Sequence, residues 1–400
     1  MNASGMDQPP DGTGSSNNAN RRTFLKGVGL AGAAGLAGAA GLTSPFLATT
    51  SARASGNLVL GIQAPGPWMD TDHGGYVPKG QTWHDTGYLP HALGCRAYRD
   101  TPFTNPFDCP NYFPGYDIVD DAGTHVAVKP VASIRPDPTV LLDTRNPNQP
   151  MFDNQIKNMI LDGAQKAADG TFAGPPRLTV WHEAGHLYTD KSKWGQYGVV
   201  PGTSITLKYD GTKYGAAALV RSMHVKMQNL VNDVNNAHPT LPNVTYGCII
   251  YGQIDQMASG TDDSHNFVPN SPLDWYGIDV YYDSEWGRGD LNGPGAVANY
   301  MGNWLQVAKD RSRSSTPVIH ITECNANASD NAFRPDFFSN LAAWLSSNGG
   351  ASPHMLTFFP NPPGPHSISW GQPDFVTGKW VPPPSDTVIA LQHIQATYGS

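Results

Sequence analysis

Short runs of β-branched and aromatic residues recur along this chain and mostly alternate with segments whose apolar residues have helical spacing. Eight runs predict β-strands, at residues 57–62, 95–99, 125–134, 178–181, 245–251, 274–281, 318–322 and 355–359. Apolar residues at every third or fourth position predict helices at residues 152–168, 216–234, 297–308, 337–345 and 388–398. This alternation predicts an α/β fold, a single (β/α)8 TIM barrel with long loops at its C-terminal face.

The main competing fold is a doubly wound open sheet, which alternates strands and helices in a similar way. Such sheets usually carry a glycine-rich phosphate-binding turn after the first strand. Here a long loop rich in Gly, Pro and Trp follows that strand, and no internal repeat or linker appears further along the chain. We therefore expect residues 55–400 to form one catalytic barrel, with residues 360–384 as one long loop after the eighth strand.

The first 54 residues have the pattern of an export signal. Residues 20–26 (NRRTFLK) resemble the twin-arginine motif, and a mild apolar run and the A-x-A sequence at residues 52–54 follow. A membrane anchor is the alternative, because residues 27–47 are long enough to span a bilayer. The glycines of this run and the cleavage site favour removal. We expect residues 1–54 to be a twin-arginine signal peptide and the protein to be secreted in its folded state.

The charge of the chain limits its partners. The chain has 25 basic and 33 acidic residues, a net charge of −8. The leader contains four of the basic and two of the acidic residues, so the mature chain has a net charge of −10. Phosphate backbones require a basic surface, so no nucleic acid is expected as a partner. We expect a monomer that has no contact with the membrane after signal cleavage.

The four cysteines fall into two groups. Cys95 and Cys109 flank a Pro-rich loop, and in an exported protein we expect a disulfide bond between them. Cys248 lies in an apolar strand and Cys324 at the end of another. We expect both to be buried thiols, with a second disulfide between them as the alternative. No C-x-x-C pair occurs, which argues against a thiolate metal site.

Glutamate is rare in this chain, and two of the three glutamates follow predicted strands. The three are Glu183, Glu285 and Glu323, among 33 acidic residues. Glu183 follows the fourth strand and Glu323 the seventh. Because the C-terminal ends of barrel strands converge at one face, these two side chains are expected to meet there. One protonated and one ionised carboxyl on either side of a glycosidic bond are what its hydrolysis requires.

The segment around Glu183 also allows a zinc site. Residues 182–186 (HEAGH) fit H-E-x-x-H, in which two histidines one helical turn apart bind zinc. The β-forming residues before it and Gly185 within it argue against that helix. The longer metzincin signature fails, because Thr189 and Ser192 occupy its Gly and His positions. Glycoside hydrolysis is favoured, with neither metal nor cofactor, and a zinc metallopeptidase or a non-catalytic glycan-binding barrel are the alternatives.

Several short motifs resemble those of known enzymes. An acid after strand four and a nucleophile after strand seven resemble the retaining (β/α)8 glycosidases of clan A. His182-Glu183, with Trp194-Gly195 downstream, resembles glycoside hydrolase family 26, the mannanase-containing group. Asp279-Val280-Tyr281 resembles the D-x-Y of that family, and Ile321-Thr322-Glu323 its I-T-E. One departure is that Ala184-Gly185-His186 stands where the family commonly has Asn-Gly.

The resemblance implies roles for individual residues. Glu183 would be the general acid/base and Glu323 the nucleophile, with Tyr281 as a hydrogen-bond donor to Glu323. The alternative for Tyr281 is a core tyrosine. His182 would contact Glu183 or a sugar hydroxyl, or else be a structural histidine at the rim. The implied activity is internal cleavage of β-mannan or a related β-linked polysaccharide.

Aromatic and basic residues near the predicted strand ends are candidates for sugar binding. Aromatic faces stack on pyranose rings, and four tryptophans lie in or beside the loops after strands four, six and eight: Trp194, Trp275, Trp286 and Trp370. Arg96 or Arg99 would orient the nucleophile, although either could instead pair with an aspartate.

Overall fold

The computed structural model describes only part of the chain. The described residues are 58–63, 68–70, 75–77, 94–99, 118–119, 125–126, 129–181, 204–251, 264–282, 294–326, 334–348, 354–358, 372–373, 380–381 and 385–398. The expected signal peptide at residues 1–54 lies outside them, as does Cys109. The export signal and the Cys95–Cys109 disulfide therefore stay predictions.

Eight parallel strands form a closed barrel. They are β1 (Leu58–Gln63), β2 (Gly94–Arg99), β3 (Lys129–Ile134), β4 (Arg177–Val180), β5 (Thr245–Tyr251), β6 (Trp275–Tyr282), β7 (Ile319–Ala326) and β8 (His354–Phe358). Each strand pairs with its neighbours in chain order, and β8 returns to pair with β1. The predicted (β/α)8 fold is confirmed.

Six helices are described along the chain. They are α1 (Pro138–Leu142), α2 (Gln149–Ala168), α3 (Ala216–Ala237), α4 (Pro294–Ser312), α5 (Arg334–Asn348) and α6 (Ser385–Tyr398). Among the described residues, a 3-10 turn, Ser264–Phe267, lies between β5 and β6. Among the helices of the described part, none is both long and apolar enough to cross a membrane.

Successive residues of each strand face the helices and the barrel axis in turn, because side chains alternate along a strand. On β6 the outward residues Ile278 and Val280 are fully buried in the main apolar core. Tyr276, also outward, meets the ring of Trp304 on α4 at a centroid distance of 6.4 Å. The inward residues form a second, smaller cluster at the N-terminal end of the barrel: Val59, Val131, Ile249, Trp275 and Met355.

Trp275 forms much of the barrel floor. It is 1% exposed at the start of β6, and its ring centroid lies 5.3 Å from that of His320 on β7. Gly247 on β5 makes room for it, because a Cβ there would lie 2.2 Å from the indole ring. The prediction that Trp275 lies beside a substrate loop is wrong. The residue begins its strand, at the opposite end of the barrel from the loop that follows β6.

Several local elements differ from the predicted ones. Residues 125–134 were expected as one strand, but His125–Val126 pairs antiparallel with Ile118–Val119, and β3 begins at Lys129. An apolar run in a sequence does not show whether all its residues pair with the same neighbouring strand. The expected loop at 360–384 contains an antiparallel ladder between Gln372–Pro373 and Trp380–Val381. The short helix α1 has too few turns to show a period in sequence.

A hairpin follows β4 and is fastened to the segment after β3. Its strands, Ser204–Thr206 and Lys213–Gly215, pair antiparallel. The buried carboxylate of Asp143 accepts hydrogen bonds from the backbone N–H groups of Tyr209 (2.7 Å), Asp210 (3.1 Å) and Arg145 (3.3 Å). Since β3 and β4 are adjacent, this carboxylate joins the connections that follow two neighbouring strands.

Two cysteines are fully enclosed. Cys248 on β5 and Cys324 on β7 are buried free thiols, as expected. Burial raises the pKa of both thiols, since the interior disfavours the charged thiolate. Both are therefore protonated core side chains.

Candidate active site

Glu323 and Tyr281 meet inside the C-terminal half of the barrel. Glu323 on β7 is 4% exposed, and the hydroxyl of Tyr281 on β6 donates a hydrogen bond to its Oε2 atom. This is the contact that the sequence resemblance implies. A hydroxyl donor stabilises the ionised form of a carboxylate and fixes its direction. The pair thus provides an oriented carboxylate among buried side chains.

A β-bulge turns Glu323 toward the barrel axis. In the pairing of β6 with β7, Ile278 lies opposite Ile321, but Asp279 lies opposite Glu323, so Thr322 is an extra residue. The pairing of β7 with β8 shifts at the same place, between Ile321 and Cys324. Under strict alternation with Thr322 inward, Glu323 would face the helices. The bulge instead brings it to the same face as Asp279 and Tyr281.

Asp279 is a second buried carboxyl beside Glu323, and sequence reasoning did not single it out as a site residue. It is fully buried, and its Oδ1 atom accepts a hydrogen bond of 2.6 Å from the hydroxyl of Thr322. Burial raises the pKa of the Cys324 thiol, and the neighbouring carboxyl groups of Glu323 and Asp279 raise it further. The sequence feature that could have identified Asp279 is its position two residues before Tyr281, because residues two apart in a strand share one face.

Asn325 is another buried polar residue at this end of the barrel. It is fully buried and lies opposite Tyr281 in the register of β6 and β7. It comes two residues after Glu323, and in a strand that spacing places two residues on one face. Sequence analysis missed it because the predicted strand ended at residue 322. In the structure β7 continues through Ala326.

Small and hydroxyl-bearing side chains fill the barrel below the two carboxyls. Ser133, Thr179, Thr322 and Thr357 are all fully buried. Further down, the Nε–H of Arg177 donates to Nε2 of His320 over 3.1 Å, and burial lowers the pKa of Arg177 to about 10. The interior therefore changes from apolar and basic at the floor to acidic at the C-terminal end.

Trp181 marks where the chain leaves β4 toward the candidate acid. The strand ends at Val180, one residue earlier than predicted. Trp181 has a φ of 48°, which is unusual for a residue with a bulky side chain. Its buried indole donates a hydrogen bond of 3.0 Å to the carbonyl of Pro136. This hydrogen bond holds the Trp181 side chain at the end of β4.

Most of the remaining predicted site residues lie outside the described part of the chain: Glu183, His182, Trp194, Trp286 and Trp370. The same holds for the whole HEAGH segment at 182–186. Arg99 ends β2 and lies opposite Ile134 of β3, with only its backbone described. Among the described residues, no cluster of three or more His, Cys, Asp or Glu side chains has the arrangement of a metal site.

Comparisons with known proteins give similarity of fold. No family model matches the chain, and no curated protein does. Solved structures that resemble it include the catalytic domain of a family 26 endo-β-1,4-mannanase from Bacillus sp. JAMB-750, at 12% identity and a TM-score of 0.47, covering 86% of this chain and 87% of that one.

A second similar structure is a modular family 26 mannanase from Cellulomonas fimi, at 15% identity and a TM-score of 0.46, covering 86% and 71% of the two chains. A third is a GH5-4 broad-specificity endoglucanase from Clostridium longisporum, at 10% identity and a TM-score of 0.45, covering 85% and 96%. The solved structures that the chain resembles thus include family 26 and family 5 glycosidases.

Proposed function

We propose that this protein is a glycoside hydrolase that cleaves a β-linked polysaccharide with retention of configuration. One observation carries the proposal: a buried carboxylate, Glu323, held by the Tyr281 hydroxyl inside the C-terminal half of a closed barrel. Substrate-binding and catalytic groups of (β/α)8 enzymes gather at this end. Placing a carboxylate inside a barrel costs free energy unless other groups stabilise it, so a chemical role accounts for its presence.

In the first step, the Glu323 carboxylate would bond to the anomeric carbon as the glycosidic bond breaks. The electron pair of that bond passes to the leaving oxygen, which takes a proton from Glu183. In the second step, Glu183 removes a proton from water as the water oxygen attacks the anomeric carbon. The ester bond breaks as the water oxygen attacks, its electron pair returns to Glu323, and both carboxyl groups are then in their starting states.

The geometry of the two glutamates decides between two stereochemical courses. A separation of about 5 to 5.5 Å between the carboxyl groups corresponds to double displacement, whereas about 6.5 to 9.5 Å leaves room for an inverting water. We propose the short separation, because Tyr281 holds Glu323 in one direction, as a nucleophile requires. Secretion by the twin-arginine route and internal cleavage of β-mannan or a related β-glycan are part of the same proposal.

The test is a hydrolysis screen with β-mannan, mixed-linkage β-glucan and xylan, using wild type and the variant Glu323→Ala. A matched control is Asp233→Asn, which changes an acidic residue that pairs with Lys157 on the outer surface. We expect turnover of at least one polymer by wild type and the control, and none by Glu323→Ala. Azide should partly restore Glu323→Ala on an aryl glycoside, giving the glycosyl azide of inverted configuration.

The alternatives predict other results. A zinc peptidase would cleave casein, contain one zinc per chain and lose activity with a chelator, while Glu323→Ala would remain active. A non-catalytic glycan-binding barrel would retain a polysaccharide on affinity gels without cleaving it. Either outcome would refute the proposed function. Glu183→Ala should still cleave aryl glycosides whose leaving group needs no proton.

A further inference from the structure

Thr322 occupies the extra position of the β7 bulge, and its hydroxyl has a carboxyl partner on β6. A bulged residue is left unpaired in the ladder, so a side-chain contact adds to what holds it in place. The hydroxyl of Thr322 lies 2.6 Å from Oδ1 of Asp279 and 3.3 Å from the carbonyl oxygen of Ile278. A hydroxyl has one proton, and the shorter contact to the carboxyl group takes it. The bulge is thereby linked to the strand that supplies Tyr281.

Gly277 determines how close Thr322 comes to β6. A Cβ built on Gly277 would lie 3.0 Å from Cγ2 and 3.1 Å from Oγ1 of Thr322, and 2.8 Å from Cγ1 of Ile249. Any larger residue would push Thr322 away from the strand or displace Ile249. The absence of a side chain at Gly277 therefore lets the Thr322 hydroxyl reach Asp279, two residues further along β6.

Thr357 on β8 is a natural comparison. It is the one residue of β8 between Leu356, which pairs with Ile321, and Phe358, which pairs with Cys324. It thus lies opposite the bulge from the other side. It is fully buried like Thr322, but its hydroxyl has no hydrogen-bond partner among the described residues. Two buried threonines therefore border the same irregularity, and only Thr322 has a described link to a carboxyl group.

We propose that Thr322 is a positioning residue, whose hydroxyl fixes the bulge against Asp279 and so aims the Glu323 carboxylate at the substrate. The chain of contacts runs from Gly277 through Thr322 to Asp279, and the next residue of β7 is Glu323 itself. Without the hydroxyl, Thr322 loses its described hydrogen bond to Asp279 on β6, and Glu323 can rotate away from Tyr281. The catalytic consequence rests on the proposed glycosidase function, whereas the structural consequence does not.

The structural test compares crystal structures of Thr322→Val, Thr322→Ser and the control Thr357→Val. Valine has nearly the shape of threonine without the hydroxyl, and serine restores the hydroxyl alone. We expect Thr322→Val to lose the Tyr281–Glu323 hydrogen bond, while Thr322→Ser and Thr357→Val keep it. An intact Tyr281–Glu323 contact in Thr322→Val would overturn the proposal. If Thr322→Val does not fold, Thr322→Ala serves in its place.

The kinetic test uses fluorinated dinitrophenyl glycobiosides (mannobioside, cellobioside and xylobioside), which form a stable covalent glycosyl-enzyme. Misplacement of a reacting group by up to about 1 Å slows the chemical step by about 10- to 100-fold. We expect Thr322→Val to lower the inactivation rate constant by about that factor. The dissociation constant for the inactivator and the final labelling of one site per chain should be unchanged.

Each result separates the possibilities. A raised dissociation constant with an unchanged inactivation rate would assign Thr322 to substrate binding and overturn the positioning role. Incomplete labelling with a normal rate in the labelled fraction would indicate only lost stability, and would also overturn it. If wild type reacts with none of the three inactivators, the proposed function fails, and the crystal structures alone decide whether Thr322 holds Glu323.

Discussion

Replacement of His224 tests how burial controls the acid stability of this barrel. His224 on α3 is 2% exposed, and its Nδ1 atom lies 2.8 Å from the hydroxyl of Tyr246 on β5. Burial lowers the pKa of His224 to about 3, because the interior disfavours the imidazolium cation. The side chain is therefore neutral in the folded protein until the pH falls to about 3.

The magnitude follows from proton linkage. In the unfolded chain, a histidine titrates near its ordinary pKa of about 6.5. The unfolded state therefore takes up a proton as the pH falls below that value, whereas the folded state does not. Each unit of pKa difference corresponds to about 1.4 kcal/mol. His224 should thus lower the free energy of unfolding by about 2 kcal/mol at pH 5 and about 4 kcal/mol at pH 3, and have no such effect above pH 7.

The assay is urea unfolding of wild type and His224→Gln between pH 7 and pH 4. Glutamine offers polar atoms to Tyr246 but does not titrate. We expect the variant to be less stable than wild type at pH 7 and to gain about 2 kcal/mol relative to it by pH 5. The exposed His238, just after the same helix, provides the control His238→Gln, which removes a surface histidine instead of a buried one. A constant difference between wild type and His224→Gln across this range would refute the reasoning.

Other predictions concern packing and buried polar groups. Gly247→Ala should lower the free energy of unfolding by more than about 2 kcal/mol, because its Cβ would lie within 2.5 Å of ring and backbone atoms, whereas Gly302→Ala, with open space in α4, should raise it by about 0.5 to 1 kcal/mol. Asp143→Ala should lower the free energy of unfolding by about 2 kcal/mol or more, because three backbone N–H groups lose their carboxylate acceptor. Urea unfolding would measure this change. Cys248 and Cys324 should react with a thiol reagent only after denaturation.

Sequence analysis predicted the barrel because its strands are buried on both faces and stand out as apolar runs. The fifth strand was predicted at residues 245–251, which are its bounds in the structure. Long helices such as α3 were found from their period, with only the last turn missed. Short elements were missed, since α1 and the two-residue ladders contain too few residues for any period to appear.

The candidate site was only partly predictable from the sequence, because its geometry depends on how neighbouring strands pair. Residues 318–322 read as a complete strand with Glu323 just beyond it, whereas β7 continues through Ala326. The bulge that turns Glu323 inward depends on how β7 pairs with β6 and β8, and no local pattern encodes it. The floor position of Trp275 likewise depends on Gly247, a residue of a different strand.

Deletion of Thr322 separates the two possible reasons for the bulge. Without Thr322, Ile321 and Glu323 become neighbours, and the pairings with β6 and β8 recorded on either side of the bulge form one regular ladder. In this regular ladder the Glu323 side chain would still face the barrel axis. A chain without Thr322 therefore does not need the bulge to direct that side chain inward. If the Thr322 hydroxyl positions Glu323, the deletion variant should fold, with free energy of unfolding within about 1 to 2 kcal/mol of wild type, but lose most turnover. A folded deletion variant with wild-type kcat would show that Thr322 is dispensable and that its hydroxyl is not needed to aim the carboxylate.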